Sequence, residues 1–235
     1  IVPLSGGYDS RLVAVMLKKL DYKKVICFNY GDRESNEYKI SKQVANELGF
    51  PYYFIEYTEK KWKRFVFEDL PAFSSYSANY SSNPHVQDFI AIKELIEKDI
   101  IKSDYILVPG HSADQLAGKK LPLDLKYKST NVLLKKGIAR LILDRHYNKR
   151  RISNFEKNIF VSHINKTNDY PKVNDVETLI KEYDIWDIKN RQAKFIINSL
   201  RVYDYFNLKW RIPFWDNEFI NFWSEVPLYL RHNKL

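Results

Sequence analysis

The chain has 235 residues, enough for one large α/β domain with an ordinary core. Its single cysteine, Cys27, rules out a disulfide scaffold and any zinc or dithiol site within the chain. That cysteine usage makes a reducing, cytoplasmic setting the expectation, and no apolar stretch reaches the roughly 20 residues of a membrane span. Lys and Arg total 38 against 29 Asp and Glu, and the resulting +9 attracts nucleotides, anionic sugars, RNA or anionic membrane surfaces without choosing among them.

Ile1 to Leu4 reads as an apolar strand, followed by Leu12, Val13, Met16, Leu17 and Leu20 at helical spacing. Val25 to Asn29 is a second strand. Ile40, Val44, Ala45 and Leu48 mark a second helix that Gly49 stops, and Tyr52 to Glu56 is the third strand. This β-α-β-α-β order implies an α/β fold with a doubly wound, mostly parallel sheet and its ligand at the carboxyl ends of the strands. Residues 71–84, rich in Ser, Asn, Tyr and Pro, read as a long loop bordering the site. A helix carrying Val86, Phe89, Ile90, Ile96 and Ile100 then leads to a fourth strand, Tyr105 to Val108, which ends in Pro109-Gly110. Apolar stripes in 131–143 and 176–203 make the rest mainly helical, so an α/β core is expected over 1–120 and a helical C-terminal portion over 121–235. The first strand is shorter than the ~5–6 residues of a typical strand, and a C-terminal portion of a longer polypeptide is expected.

The segment Ser5-Gly6-Gly7-Tyr8-Asp9-Ser10 joins the first strand, at Leu4, to the first helix. Two glycines let the backbone bend towards an anion, while the first helical N–H groups and the positive end of the helix dipole point at it. The Gly-Lys-Ser/Thr ending of a nucleoside-triphosphate P-loop is absent. In its place Asp9, flanked by hydroxyls, can hold Mg2+, and Ser5 and Ser10 can donate to phosphate oxygens. A plain Gly-Gly turn with Asp and Ser as helix caps is the competing reading, and the position between strand and amphipathic helix favours phosphate. Tyr30, beside Phe28 at the end of the second strand, is either a wall for a base or a core aromatic.

This hexapeptide resembles the PP-loop of the N-type ATP pyrophosphatases, which cut ATP between its α- and β-phosphates. Three further stretches resemble the synthetase domain of asparagine synthetase. Asn36-Glu37 with Ser41-Lys42 and Val44-Ala45 is similar to the helix after that family's second strand. Gly110-His111-Ser112-Ala113-Asp114-Gln115-Leu116-Ala117-Gly118 resembles its Gly-Glu-Gly-Ser-Asp-Glu loop, and Trp210-Arg211-Ile212-Pro213-Phe214-Trp215-Asp216 resembles its Glu-x-Arg-x-Pro-Phe-Leu-Asp signature. The resemblance implies an adenine nucleotide α-hydrolase-like fold, with ATP and Mg2+ as cofactors. It also implies that Asp9 and Asp114 share the metal and that Arg231, with Lys234 in reserve, steadies charge at the α-phosphate. Asp114 as a helix cap and Arg231 as a surface charge are the alternatives.

The resemblance further implies that an acceptor carboxylate is adenylated and that ammonia, free or released from glutamine by an upstream domain or partner, displaces AMP. His111 replaces a family glutamate near the acceptor and Gln115 replaces an acid. Because His can donate to a carboxylate, these changes suit a different or more anionic acceptor than aspartate, such as a sugar uronate. Two rivals are an RNA-modifying enzyme similar to tRNA lysidine synthetase and a non-catalytic ATP-binding module. Nucleic acid is not expected, since the densest basic cluster is only Lys149-Arg150-Arg151.

Overall fold

The computed structural model describes residues 1–78, 82–118, 130–147, 152–167 and 175–231. Lys149-Arg150-Arg151 and Lys234 lie outside these residues. The chain forms two compact units, one of 1–116 and 192–225, the other of 117–191 and 226–235. Residues 192–225 thus belong with the sheet, whereas the whole of 121–235 reads in sequence as a single helical portion.

The sheet unit is built from β1 (Val2–Pro3), α1 (Tyr8–Lys19), β2 (Cys27–Gly31), α2 (Asn36–Leu48) and β3 (Tyr52–Glu56), with all three strands parallel in the order β1-β2-β3. Strands β4 (Ile106–Leu107) and β5 (Lys209–Trp210) also pair in parallel. The Val108 N–H donates to the Ile1 carbonyl at 2.8 Å and lays β4 beside β1. Read across, the order is β3-β2-β1-β4-β5, the doubly wound α/β arrangement that the sequence pattern implies. The chain reverses direction of winding between β1 and β4, and a crevice opens at such a switch point.

Local chemistry sets the helix ends. Ser35 caps α2 by accepting from the Tyr38 N–H, and Gly49 closes it at φ 69°, a left-handed conformation that costs glycine little. On α1 the buried face is Ser10, Val13 and Ala14, with Leu17 packed beside them, while Leu12, Met16 and Leu20 are exposed. The apolar stripe expected on this helix is therefore rotated, because β1 meets the helix through small side chains.

Residues 71–77 are not a loop. The chain runs from α3 (Glu59–Arg64) through a π-helical stretch, Phe65–Asp69, into α4 (Leu70–Ser77). Pro71 sits in the first turn, where no N–H is needed, and Phe73 and Ser77 are buried. Phe73 packs on Phe89 and Tyr205, with ring centroids 4.8 and 5.4 Å away. Tertiary burial thus overrides a turn-like composition. Helix α5 (Phe89–Glu97) follows, shorter than its apolar spacing suggests, and α6 (Ala113–Leu116) lies after β4.

In the second unit α7 (Thr130–His146), broken at Gly137, α8 (Asn154–Thr167) and α9 (Val176–Asp187) surround Ile138, Leu141, Ile142, Leu179, Ile180 and Tyr183. The helical path continues as a π-helical segment, Ile188–Ile196, and a 3-10 turn, Ile197–Leu200, into α10 (Arg201–Tyr205). After β5 comes α11 (Asn217–Glu225). Among the described residues no helix is long and apolar enough to cross a membrane.

Candidate active site at the strand ends

The first helix starts after Gly7, its N-cap residue, with no side-chain cap. Ser5 organises the turn before it. Its Oγ accepts from the Gly7 N–H at 3.1 Å and lies 3.1 Å from Ser10 Oγ, while the Ser5 N–H donates to Ser10 Oγ at 3.0 Å. The two hydroxyls therefore share the loop interior, and Asp9 falls in the first helical turn.

Gly110 fixes the neighbouring loop. A Cβ there would stand 2.7 Å from the Ser10 nitrogen and 2.9 Å from the Asp9 carbonyl carbon, so only glycine lets the end of β4 press against the start of α1. A Cβ at Gly6 would approach the Glu37 Cα at 3.3 Å. Close backbone approach, rather than loop flexibility, is what these two glycines provide.

A cavity of about 280 Å3 opens at these strand ends. From the phosphate-type loop it takes Leu4, Ser5, Gly7, Asp9 and Ser10; from β2 it takes Phe28 and Tyr30; from the β4 end it takes Gly110 and His111. Gly6 and Asp114 are not among its lining, and Asp114 lies in α6. Arg231 belongs to the helical unit, where it is 4% exposed and its guanidinium bonds Asp184 Oδ2 at 3.0 Å. It is thus neither a surface charge nor an unpaired one.

Sequence reasoning missed His85, Gln87 and Asp88, which also line the cavity, as does Glu37, read in sequence only as part of a family-like helix. Asp88 accepts from the Tyr30 hydroxyl at 2.5 Å and from the Tyr203 hydroxyl at 2.6 Å. Burial pushes both phenols above their ordinary range, with the Asp88 charge adding to it. Tyr30 also stacks on Tyr57 with centroids 4.9 Å apart. The Ser/Asn/Pro-rich stretch before Asp88 was the available signal.

His111 is held by the helical segment far along the chain. Its Nε2 lies 2.9 Å from Ser199 Oγ, and Ser112 Oγ bonds Gln192 at 3.0 Å. Ser112 itself adopts φ 71°, a left-handed conformation strained for a residue with a Cβ and of the kind that gathers at functional sites. Burial lowers the pKa of His111, Asp88 opposes this and His85 adds to it.

The lining carries the carboxylates of Asp9, Glu37 and Asp88 and, among its described residues, no Lys or Arg. A divalent cation between a polyphosphate and these acids would relieve their mutual repulsion. Among the described residues no group of three or more His, Cys, Asp or Glu is placed to hold a metal. One or two carboxylates, completed by water and phosphate oxygens, is the donor set that suits Mg2+.

A glycine-containing strand-loop-helix at the switch point of a parallel sheet is the arrangement of the PP-loop class. The sequence matches the asparagine synthase family over residues 2–234, and the chain belongs to that family, within the N-type ATP pyrophosphatases. It is also similar to the tRNA-specific 2-thiouridylase MnmA of Limosilactobacillus reuteri, at 33% identity over 129 residues, 48% of this chain and 32% of that protein. The protein of the same name from Lacticaseibacillus paracasei is 34% identical over 125 residues, with the same coverage. That from Chlamydia trachomatis is 34% identical over 128 residues, 47% of this chain and 34% of the relative. The chain therefore spans about a third of the length of these curated relatives.

Proposed function

We propose that the chain is the synthetase part of an ATP-dependent amidotransferase. It adenylates an acceptor carboxylate with release of pyrophosphate, and ammonia then forms the amide and frees AMP. The observation that carries this reading is the cavity itself, in which Ser5, Gly7, Asp9 and Ser10 stand at the uncapped start of α1. Loop N–H groups and the two hydroxyls would grip the β- and γ-phosphates, and the acceptor oxygen would attack the α-phosphorus in line with the departing pyrophosphate. Asp9, with Asp114 as the second carboxylate, would hold Mg2+, which supplies neutralisation of the pyrophosphate charge. Tyr30 and Phe28 would face the adenosine. Arg231 can steady the α-phosphate, as the family resemblance implies, only if Asp184 releases it.

Aspartate and sugar uronates are the two acceptors to compare, and acceptor-dependent exchange of labelled pyrophosphate into ATP tests the adenylation step. Exchange with a carboxylate present and none without it is the expected result; exchange that ignores every carboxylate would sink the proposal.

The curated relatives favour a second reading, ATP activation of a tRNA base, and their names remove support for excluding nucleic acid as a partner. Against sulfur transfer by this chain stands Cys27, fully buried, with burial pushing its thiol up to about 12. Salt-sensitive tRNA binding in a filter assay, together with tRNA-dependent pyrophosphate release, would move the second reading ahead.

A further inference from the structure

We propose that the outer face of α1 and α2 is where a second copy of this chain docks, in a two-fold contact that sets Arg11 of each copy against Glu47 of the other. The inference is independent of the reaction that the cavity performs.

Helix α1 turns apolar side chains to water as well as to the sheet. Tyr8, Leu12, Met16 and Leu20, spaced four residues apart, are 77%, 46%, 43% and 65% exposed. Side chains at that spacing form one ridge along a helix. Beside the ridge a groove of about 760 Å3 runs between α1 and α2, walled by Leu12, Val15, Ile40, Val44 and Leu48. Val15 and Ile40 are exposed as well. An apolar strip of this continuity is uncommon on a surface that meets only water, and it marks a contact.

The chemistry of the groove selects its occupant. The lining carries two carboxylates, Asp9 and Glu47, against the single guanidinium of Arg11, so a polyanion or an acidic lipid layer finds no net attraction there. Ridge and groove lie side by side on one face. Two copies can therefore fill each other's groove with each other's ridge, which is the self-complementarity that an isologous two-fold contact requires.

The charges fit the same arrangement. Helix α1 joins β1 to β2 and α2 joins β2 to β3, all parallel, so the two helices run the same way. Arg11 in the first turn of α1 and Glu47 in the last turn of α2 thus stand towards opposite ends of the groove. Arg11 donates from Nε to the Gly7 carbonyl at 3.1 Å, and its guanidinium lies 4.4 Å from the Tyr8 ring centroid. Among the described residues neither Arg11 nor Glu47 has an ion-pair partner on its own chain. A two-fold axis passing between them in the plane of contact forms the pair twice.

The test is the oligomeric state of the full-length protein by analytical ultracentrifugation between about 1 and 100 µM, where a dimer is expected. Met16→Lys puts a charge on the exposed ridge and should raise the dimer dissociation constant on the order of 100-fold in a protein whose circular dichroism is unchanged. Arg11→Glu and Glu47→Arg should each raise it on the order of tenfold, and the double variant should return it to within about threefold of the unaltered protein. A monomer throughout the range overturns the proposal, whether the face is bare or covered by another part of the polypeptide. A dimer indifferent to Met16→Lys assembles through another face and overturns it equally. A double variant that associates no better than the single ones overturns the pairing of Arg11 with Glu47.

Discussion

In the sheet unit, the start of α1 lacks a side-chain cap and, among the described residues, Nδ1 of His111 lacks a partner; Gly7 and His111 both line one cavity. In the helical unit the prominent charge is already answered: Arg231 is buried against Asp184. His146 Nε2 lies 2.8 Å from the Tyr183 hydroxyl, and Trp186 packs 5.1 Å away. The lesson is that residue type alone does not mark a functional group. An arginine at a family position and a histidine at a family position look equally promising in sequence, and the partners they acquire on folding separate them.

The comparison breaks most directly at Gly110. Gly110→Ala would drive a methyl into the Asp9 and Ser10 backbone, costing about 1–3 kcal/mol of stability as overpacking does. Displacing the first turn of α1 should also lower ATP turnover on the order of 100-fold, to be read from steady-state kinetics with a melting curve on the same sample. Normal turnover would show that the close approach of β4 and α1 does not shape the site.

Arg231→Ala tests the other unit. Removing one partner of a buried pair should cost about 3 kcal/mol in urea unfolding, and the double variant with Asp184→Ala should recover part of that loss. A stable Arg231→Ala protein with ATP turnover abolished would instead place Arg231 among the groups that meet the substrate.

Smaller effects sharpen the picture. Ser5→Ala removes the acceptor for the Gly7 N–H and should cost about 1 kcal/mol, with a weaker grip on pyrophosphate seen as a raised inhibition constant. Burial places the folded-state pKa of both His111 and His85 below the ordinary 6.5. The unfolded chain therefore binds these protons first, so stability should decline as pH falls from about 6.5 towards the lowered folded values. His111→Asn should flatten that decline in urea midpoints measured between pH 7.5 and 5.5; an unchanged slope would contradict the burial of the neutral ring.

How much of this was legible in sequence follows from range. The loop from Ser5 to Ser10, the stop at Gly49 and the strand from Tyr52 to Glu56 depend on neighbours within a few residues, and all are visible as local patterns. Helix α4 was not, because Pro, Ser and Tyr signal a turn until Phe73 finds Phe89 and Tyr205. Asp88 gave no sign of its role, since the two hydroxyls that hold it come from 58 and 115 residues away. The pairing of His111 with Ser199 spans 88 residues and that of Arg231 with Asp184 spans 47, distances over which no periodicity speaks.

The central claim is that the loop from Ser5 to Ser10 grips the pyrophosphate end of ATP and the α-phosphorus is attacked. It is tested most directly by product analysis with ATP labelled separately at the α- and γ-phosphates, using full-length protein, Mg2+, ammonium and either aspartate or a sugar uronate as acceptor. The account predicts α-label in AMP, γ-label in pyrophosphate, and one amide per AMP. Label appearing in ADP and inorganic phosphate would contradict it.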